Sequence, residues 1–154
     1  SQFTNYFKYT LMGNVLAIKG SEVLNALNVG WIPLLIVFII FCGFINLMMP
    51  QASAKWAIFA PVFVPMFMNL GISPELTQCA YRISDSSMNI LCPVLSSLPI
   101  ILASMKRYEK DSGFGTLVSC MLPYSMSFLI FWTALLIIWG IFGLPLGPGV
   151  SALL

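Results

Sequence analysis

Histidine is absent from this chain, and charge is scarce: seven Lys and Arg and five Asp and Glu stand among 154 residues. Without histidine the commonest metal ligand and proton shuttle is missing. A soluble globular domain carries about 25% charged residues because its surface faces water, whereas here the figure is 8% against 59% hydrophobic. So apolar a surface calls for lipid as its solvent. The net charge of +2 is too small to argue for nucleic acid, and the longest basic run is Lys106-Arg107. Cys42, Cys79, Cys92 and Cys120 lie within or beside apolar runs, lack metal-ligand spacing, and read as small packing residues. No nucleophile–base pair and no metal constellation can be read, so an enzyme is disfavoured and no cofactor is expected. A signal peptide is also missing, and the chain opens on Ser1, which reads as a fragment of a longer protein.

What is present is a series of apolar stretches with polar interruptions. Residues 1–30 are mixed, with Lys8, Lys19 and Glu22, and "SEVLNAL" opens on a serine N-cap signal. They read as the end of a spanning helix followed by an amphipathic helix at the interface. "WIPLLIVFIIFCGFINLMM" is long enough to cross or nearly cross a bilayer. After "PQASAK", a second apolar stretch reaches Gly71 with Pro61 and Pro65 inside it. Residues 31–71 are therefore either two spans or a re-entrant hairpin whose tip stops inside the membrane, and the tip composition favours the hairpin. In residues 74–105, Ser73 is an N-cap, Pro74 takes the first helical position and Glu75 the first turn. This helix is expected to be interrupted at Pro93, giving a discontinuous membrane helix. Residues 106–112 hold the charged "KRYEKD", placed on the cytoplasmic side by the positive-inside rule. Residues 113–143 form the last spanning helix, and the Gly- and Pro-rich residues 144–154 a tail. The fold class expected is an all-α integral membrane protein.

One stretch concentrates the scarce charge. Gln78, Arg82, Asp85 and Asn89 follow at steps of four, three and four, which puts them on one helical face with Arg82 able to pair with Asp85. A charge near the bilayer centre costs roughly 2.5–3.5 kcal/mol even on lenient scales, so such groups face protein or a cavity. They are either a pair locking helices together or part of a functional site. Oxygen-rich "SDSSMN" before a helix break suits a hard cation such as sodium, and a buried carboxylate could instead carry a proton. A second polar patch offers Asn46, Gln51, Ser53, Lys55 and Trp56. Trp56 read alone is either an interfacial belt residue or a site residue, and Lys55 reads as a snorkelling side chain. Two polar, discontinuous segments in one short membrane chain are the sequence pointer to a secondary-transporter site.

"SAKWAIFAPVFVPMF" (53–67), "SPELTQCAYRISDSSMNILCP" (73–93), "GTLVSCMLPYSMSFLIFW" (115–132) and "GLPLGPG" (143–149) resemble the C-terminal part of the p-aminobenzoyl-glutamate transporter (AbgT) family. The resemblance implies one half of a dimeric inverted-repeat transporter of a bacterial inner membrane. Its partners would be the missing N-terminal half, the lipid bilayer and a second copy. It further implies transport of p-aminobenzoyl-glutamate or p-aminobenzoate-like aromatic carboxylates and export of sulfonamide antimetabolites, coupled to Na+ or H+. By motif, the residues implicated in that family fall on Asn46, Ser53, Trp56, Pro74, Arg82, Asp85 and Pro93. Under this reading Ser53, Trp56, Arg82 and Asp85 bind substrate. Asn46, Asp85 and Asn89 supply oxygens to the coupling ion, and Pro74 and Pro93 set helix geometry. Arg82 would attract the substrate carboxylate or neutralise Asp85. The chain departs from the family pattern at Pro50-Gln51, where small residues are usual. It departs again at Ser84, where glycine is common, and at Met88 and Cys92, where threonines are common.

Two rival readings remain at this level. One is a carrier of small dicarboxylates built with re-entrant hairpins. The other is a non-transporting membrane subunit that uses Arg82–Asp85 as an assembly pair.

Overall fold

A computed structural model describes residues 15, 18–22, 30–49, 51–93 and 96–147. The interfacial helix expected over residues 1–30, Pro50 at the hairpin tip, and the end of the tail thus fall wholly or largely outside the described residues. The described elements are helical throughout: α1 (Trp31–Met48), α2 (Ala52–Met68), α3 (Pro74–Met88), a 3-10 turn (Asn89–Leu91), α4 (Leu98–Tyr108) and α5 (Phe114–Ile141).

Helix α3 is the axis of the assembly, packed by α1, α2 and α5. Its start follows from local chemistry. The Ser73 hydroxyl accepts a hydrogen bond from Leu76 N at 3.2 Å, and Pro74, which has no N–H to satisfy, begins the helix. Its end follows from Pro93. A residue before proline is driven out of the α region, and Cys92 is extended, at φ −74° and ψ 122°, after the helix has tightened into the 3-10 turn. Carbonyls in the last turn of α3 are also reached from other helices, the Asp85 carbonyl in addition to the Asn89 N–H that it already accepts. Ser125 of α5 donates to the Ser87 carbonyl at 2.6 Å, and the Asn46 side-chain amide of α1 donates to the Asp85 carbonyl at 3.1 Å.

Close approach of α1 and α3 depends on small residues. A Cβ on Gly43 would sit 3.2 Å from Met88 Cγ and 3.3 Å from Ser84 Oγ. Ser84 donates to the Ile39 carbonyl at 2.7 Å and Cys92 to the Leu47 carbonyl at 3.4 Å. Three of the departures from the family pattern, Ser84, Met88 and Cys92, thus face the α1 backbone or its glycine. At the far end of α1, the Trp31 ring lies against Gly140 of α5.

The arms α1 and α2 meet through phenylalanines. Phe38 stands 5.0 Å from both Phe63 and Phe67, and Phe41 is 5.9 Å from Phe63 (centroid separations). Spacings of three on α1 and four on α2 put these rings on facing stripes. Pro61 and Pro65 do not end α2, which continues through both to Met68. Helix α5 likewise continues through Pro123.

Among the described residues, two helices are long and apolar enough to cross a membrane, Trp31–Met48 and Phe114–Ile141. Large apolar side chains of α5, among them Phe128, Ile130 and Phe131, point outward. An apolar exterior of that extent belongs against lipid or further protein. Beyond α4, which buries none of its residues, Lys106 and Arg107 lie at its carboxyl end, where cations complement the helix dipole, and the following Glu109, Lys110 and Asp111 are exposed.

Candidate functional site

Where the hairpin tip meets the end of α3, the polar residues divide into a buried cluster and an open cleft. At the centre of the cluster is Lys55, only 2% exposed. Its ammonium donates to Asp85 Oδ1 at 2.6 Å and also to Asn46 Oδ1, so α1, α2 and α3 each contribute one member. Asn46 is fully buried and bridges twice, accepting from Lys55 through its oxygen and donating to the Asp85 carbonyl through its nitrogen. Charge-assisted bonds of this kind are short and roughly twice as strong as neutral ones, and they work against the desolvation cost of burying both charges.

This overturns two expectations. Lys55 does not snorkel to an interface but turns inward to the carboxylate. Arg82 does not pair with Asp85: it is exposed, and the only ion pair among the described residues is Lys55–Asp85. The physical reason is angular. Three residues along a helix with 3.6 residues per turn leave side chains about 60° apart, enough for Asp85 to face α1 and α2 while Arg82 faces out. An assembly pair made from Arg82 and Asp85 loses its basis with it.

Arg82 lines a cleft of about 430 Å³ with Ala52, Ser53, Trp56, Ala57, Gln78 and Tyr81. Ser53, Trp56 and Arg82, drawn from two separate polar segments of the sequence, therefore share one wall. Tyr81 organises it. Its hydroxyl donates to the Ala52 carbonyl at 2.6 Å, fixing the start of α2 to α3, and its ring lies 4.9 Å from that of Trp56. The Lys55 ammonium sits over the Tyr81 ring, 5.9 Å from its centroid, so Tyr81 adjoins both the cluster and the cleft. Asp85 is not among the residues lining the cleft.

Asn89 lies in the 3-10 turn, and its side-chain oxygen is buried with no partner among the described residues, as is the Ser87 hydroxyl. Buried polar atoms without partners call for an explanation. The Asn89 amide oxygen, four residues after Asp85, is of the donor type that suits a hard cation. No group of three His, Cys, Asp or Glu side chains lies together among the described residues. Pro74 and Pro93 stand at the start of α3 and just beyond its 3-10 end. Lys55, Tyr81 and Ser125 were not among the expected site residues. The available signal for Lys55 was a cation inside an apolar run with too few acids nearby in sequence to balance it.

A model of the AbgT putative transporter family matches residues 1–154, and the chain belongs to that family. It is 37% identical over 150 residues to the p-aminobenzoyl-glutamate transport protein of Escherichia coli (strain K12), a match covering 97% of this chain and 30% of that protein, in its C-terminal portion. The YdaH transporter of Alcanivorax borkumensis superposes with a TM-score of 0.89 at 49% identity, covering 96% of this chain and 31% of that one. MtrF of Neisseria gonorrhoeae, described within a class of antimetabolite efflux pumps, superposes with a TM-score of 0.83 at 49% identity, over 97% of this chain and 30% of that one. The chain thus spans about 30% of the length of these relatives. It is a membrane protein of a transporter family, and its named relatives are transporters rather than enzymes.

Proposed function

We infer that this chain supplies one half of the transport site of an ion-coupled secondary carrier for aromatic carboxylates, of the p-aminobenzoyl-glutamate or p-aminobenzoate type. The observation that carries this reading is the shared cleft: a hydroxyl (Ser53), an indole (Trp56) and a guanidinium (Arg82) line one wall. That set matches an aromatic ring bearing a carboxylate. Trp56 stacks on the ring, Arg82 takes the carboxylate in a fork geometry, and Ser53 adds a hydrogen bond at the hairpin tip.

The coupling ion, Na+ or H+, is assigned to the buried cluster. Asn46, Asp85 and Asn89 would hold a sodium ion through oxygen atoms, supported by the unpartnered Asn89 oxygen. In this reading α1 and α2 form a re-entrant hairpin, α3 and α4 are the two parts of a discontinuous helix, and α5 spans the membrane. The rest of the site comes from an N-terminal half, in a homodimer of the bacterial inner membrane. Export, including that of sulfonamide antimetabolites, is favoured by the description of the gonococcal relative. A small-dicarboxylate carrier is the competing reading, and Trp56 in the cleft argues against it.

The test is uptake and efflux of labelled p-aminobenzoate by the complete transporter in liposomes, under separate Na+ and pH gradients. Gradient-driven flux inhibited by sulfonamides supports the reading. Flux of aliphatic dicarboxylates without aromatic carboxylates replaces it with the competitor.

A further inference from the structure

Lys55 is engaged in a way that neither substrate binding nor hairpin packing requires. Its ammonium occupies the oxygens of Asn46 and Asp85, which are the same oxygens assigned above to the coupling cation. An ammonium is a compact monovalent cation with three donors and no acceptor. A free cation at these two oxygens would use the lone pairs that Lys55 uses and would bring a second positive charge to within a few ångströms of the first. Both cannot be seated together.

The lysine also has somewhere to go. Its head group is already 5.9 Å from the Tyr81 ring, and an aromatic face is a known resting place for an ammonium. Its backbone lies between those of Ser53 and Trp56, so a movement of this side chain is felt at the cleft wall.

Building on the ion-coupled reading, we propose that Lys55 is a tethered competitor for the coupling cation: the Asn46–Asp85 seat holds either the Lys55 ammonium or a free sodium ion, and sodium binds by expelling the ammonium toward Tyr81. The exchange conserves charge at the seat, one monovalent cation entering as one leaves. The occupied state keeps the carboxylate compensated when no ion is bound. Lys55 thereby sets the sodium affinity as well as the stability of the ion-free transporter.

The experiment measures melting temperature of the purified complete transporter in NaCl and in choline chloride at equal ionic strength, across a concentration series. A ligand that binds only the folded state raises stability with concentration relative to its dissociation constant. Wild type is expected to respond weakly to sodium. Lys55→Met is expected to melt early in choline and to recover in sodium, with a sodium midpoint about tenfold or more below that of wild type, because the competitor has been removed. Melting of Lys55→Met that is equally low in both salts overturns the proposal, as does a sodium midpoint unchanged or raised. If Lys55→Met does not fold, Lys55→Arg decides. It keeps a cation at the seat, larger and permanently charged, and is expected to weaken 22Na+ binding about tenfold or more relative to wild type. Unchanged binding overturns the proposal. Failure here is separable from failure of the transport reading, which is tested by p-aminobenzoate flux through the wild-type protein.

Discussion

Replacing Asp85 with Asn leaves the Lys55 ammonium buried with only amide oxygens to receive it. Removing one partner of a buried ion pair is expected to destabilise by about 3–5 kcal/mol, more than removing both. Asp85→Asn should therefore lower the melting temperature of the complete transporter further than Asp85→Asn combined with Lys55→Met, and should abolish gradient-driven flux. In the cleft, Trp56→Ala removes the ring and keeps the fold, since Trp56 is only half-buried. Aromatic pairing is worth about 0.5–1.5 kcal/mol beyond area, so inhibition by p-aminobenzoate should weaken several-fold, while aliphatic dicarboxylates change little. Inhibition constants measured side by side check this. Ser53, Trp56 and Arg82 could be picked out from residue type, motif and membrane context. The partner of Asp85 could not, because it lies 30 residues away on another helix, and helical spacing offers Arg82 first. Sequence distance hides a tertiary pair, and a 60° turn of the helix undoes the local one.

Helices α1 and α3 are held together by a groove with no spare room. Gly43→Ala places a methyl group 3.2 Å from Met88, and since that neighbour is the flexible stem of a methionine, the cost should be modest. Gly43→Leu has no such escape and should prevent correct assembly, readable as loss of a monodisperse peak on size exclusion. On the hairpin, Phe38 is 3% exposed and touches two rings across the gap. Phe38→Ala is expected to cost about 3–5 kcal/mol, measured by thermal or denaturant unfolding of the complete transporter, whereas Phe38→Leu should cost clearly less. The cap at Ser73 and the end of α3 before Pro93 were legible because each rests on one residue's own conformational limits. Pro61 and Pro65 were ambiguous for the opposite reason: whether a proline interrupts a membrane helix depends on what neighbouring helices supply to the freed carbonyls. The aromatic interleaving of α1 and α2 was likewise out of reach, since it needs the relative rotation of two helices.

At the scale of the molecule, the outward-facing apolar side chains of α5 and the exposed charges beyond α4 state how the chain meets its surroundings. Lys106 and Arg107 in the last turn of α4, with Lys110 just beyond it, set the expected orientation. In the complete transporter with its native cysteines replaced, Lys110→Cys should react with an impermeant maleimide in inside-out vesicles and not in intact cells. The reverse pattern would invert the topology. The membrane setting followed from composition, and the all-helical class from the lengths of the apolar runs and the helix-start signals. The family followed from motifs that bracket the cluster, while the substrate groups contributed by the rest of the site cannot be read from 30% of a relative's length. The Lys55–Asp85 pair has an electrical consequence as well. A membrane potential acts on net charge, at about 2.3 kcal/mol per elementary charge per 100 mV, and this pair sums to zero. While it stays together, voltage has no grip on it, and a movement of α2 with α3 carries no net charge on account of this pair. Any voltage dependence of the transporter must then enter with the ion or the substrate, or through charges outside the pair.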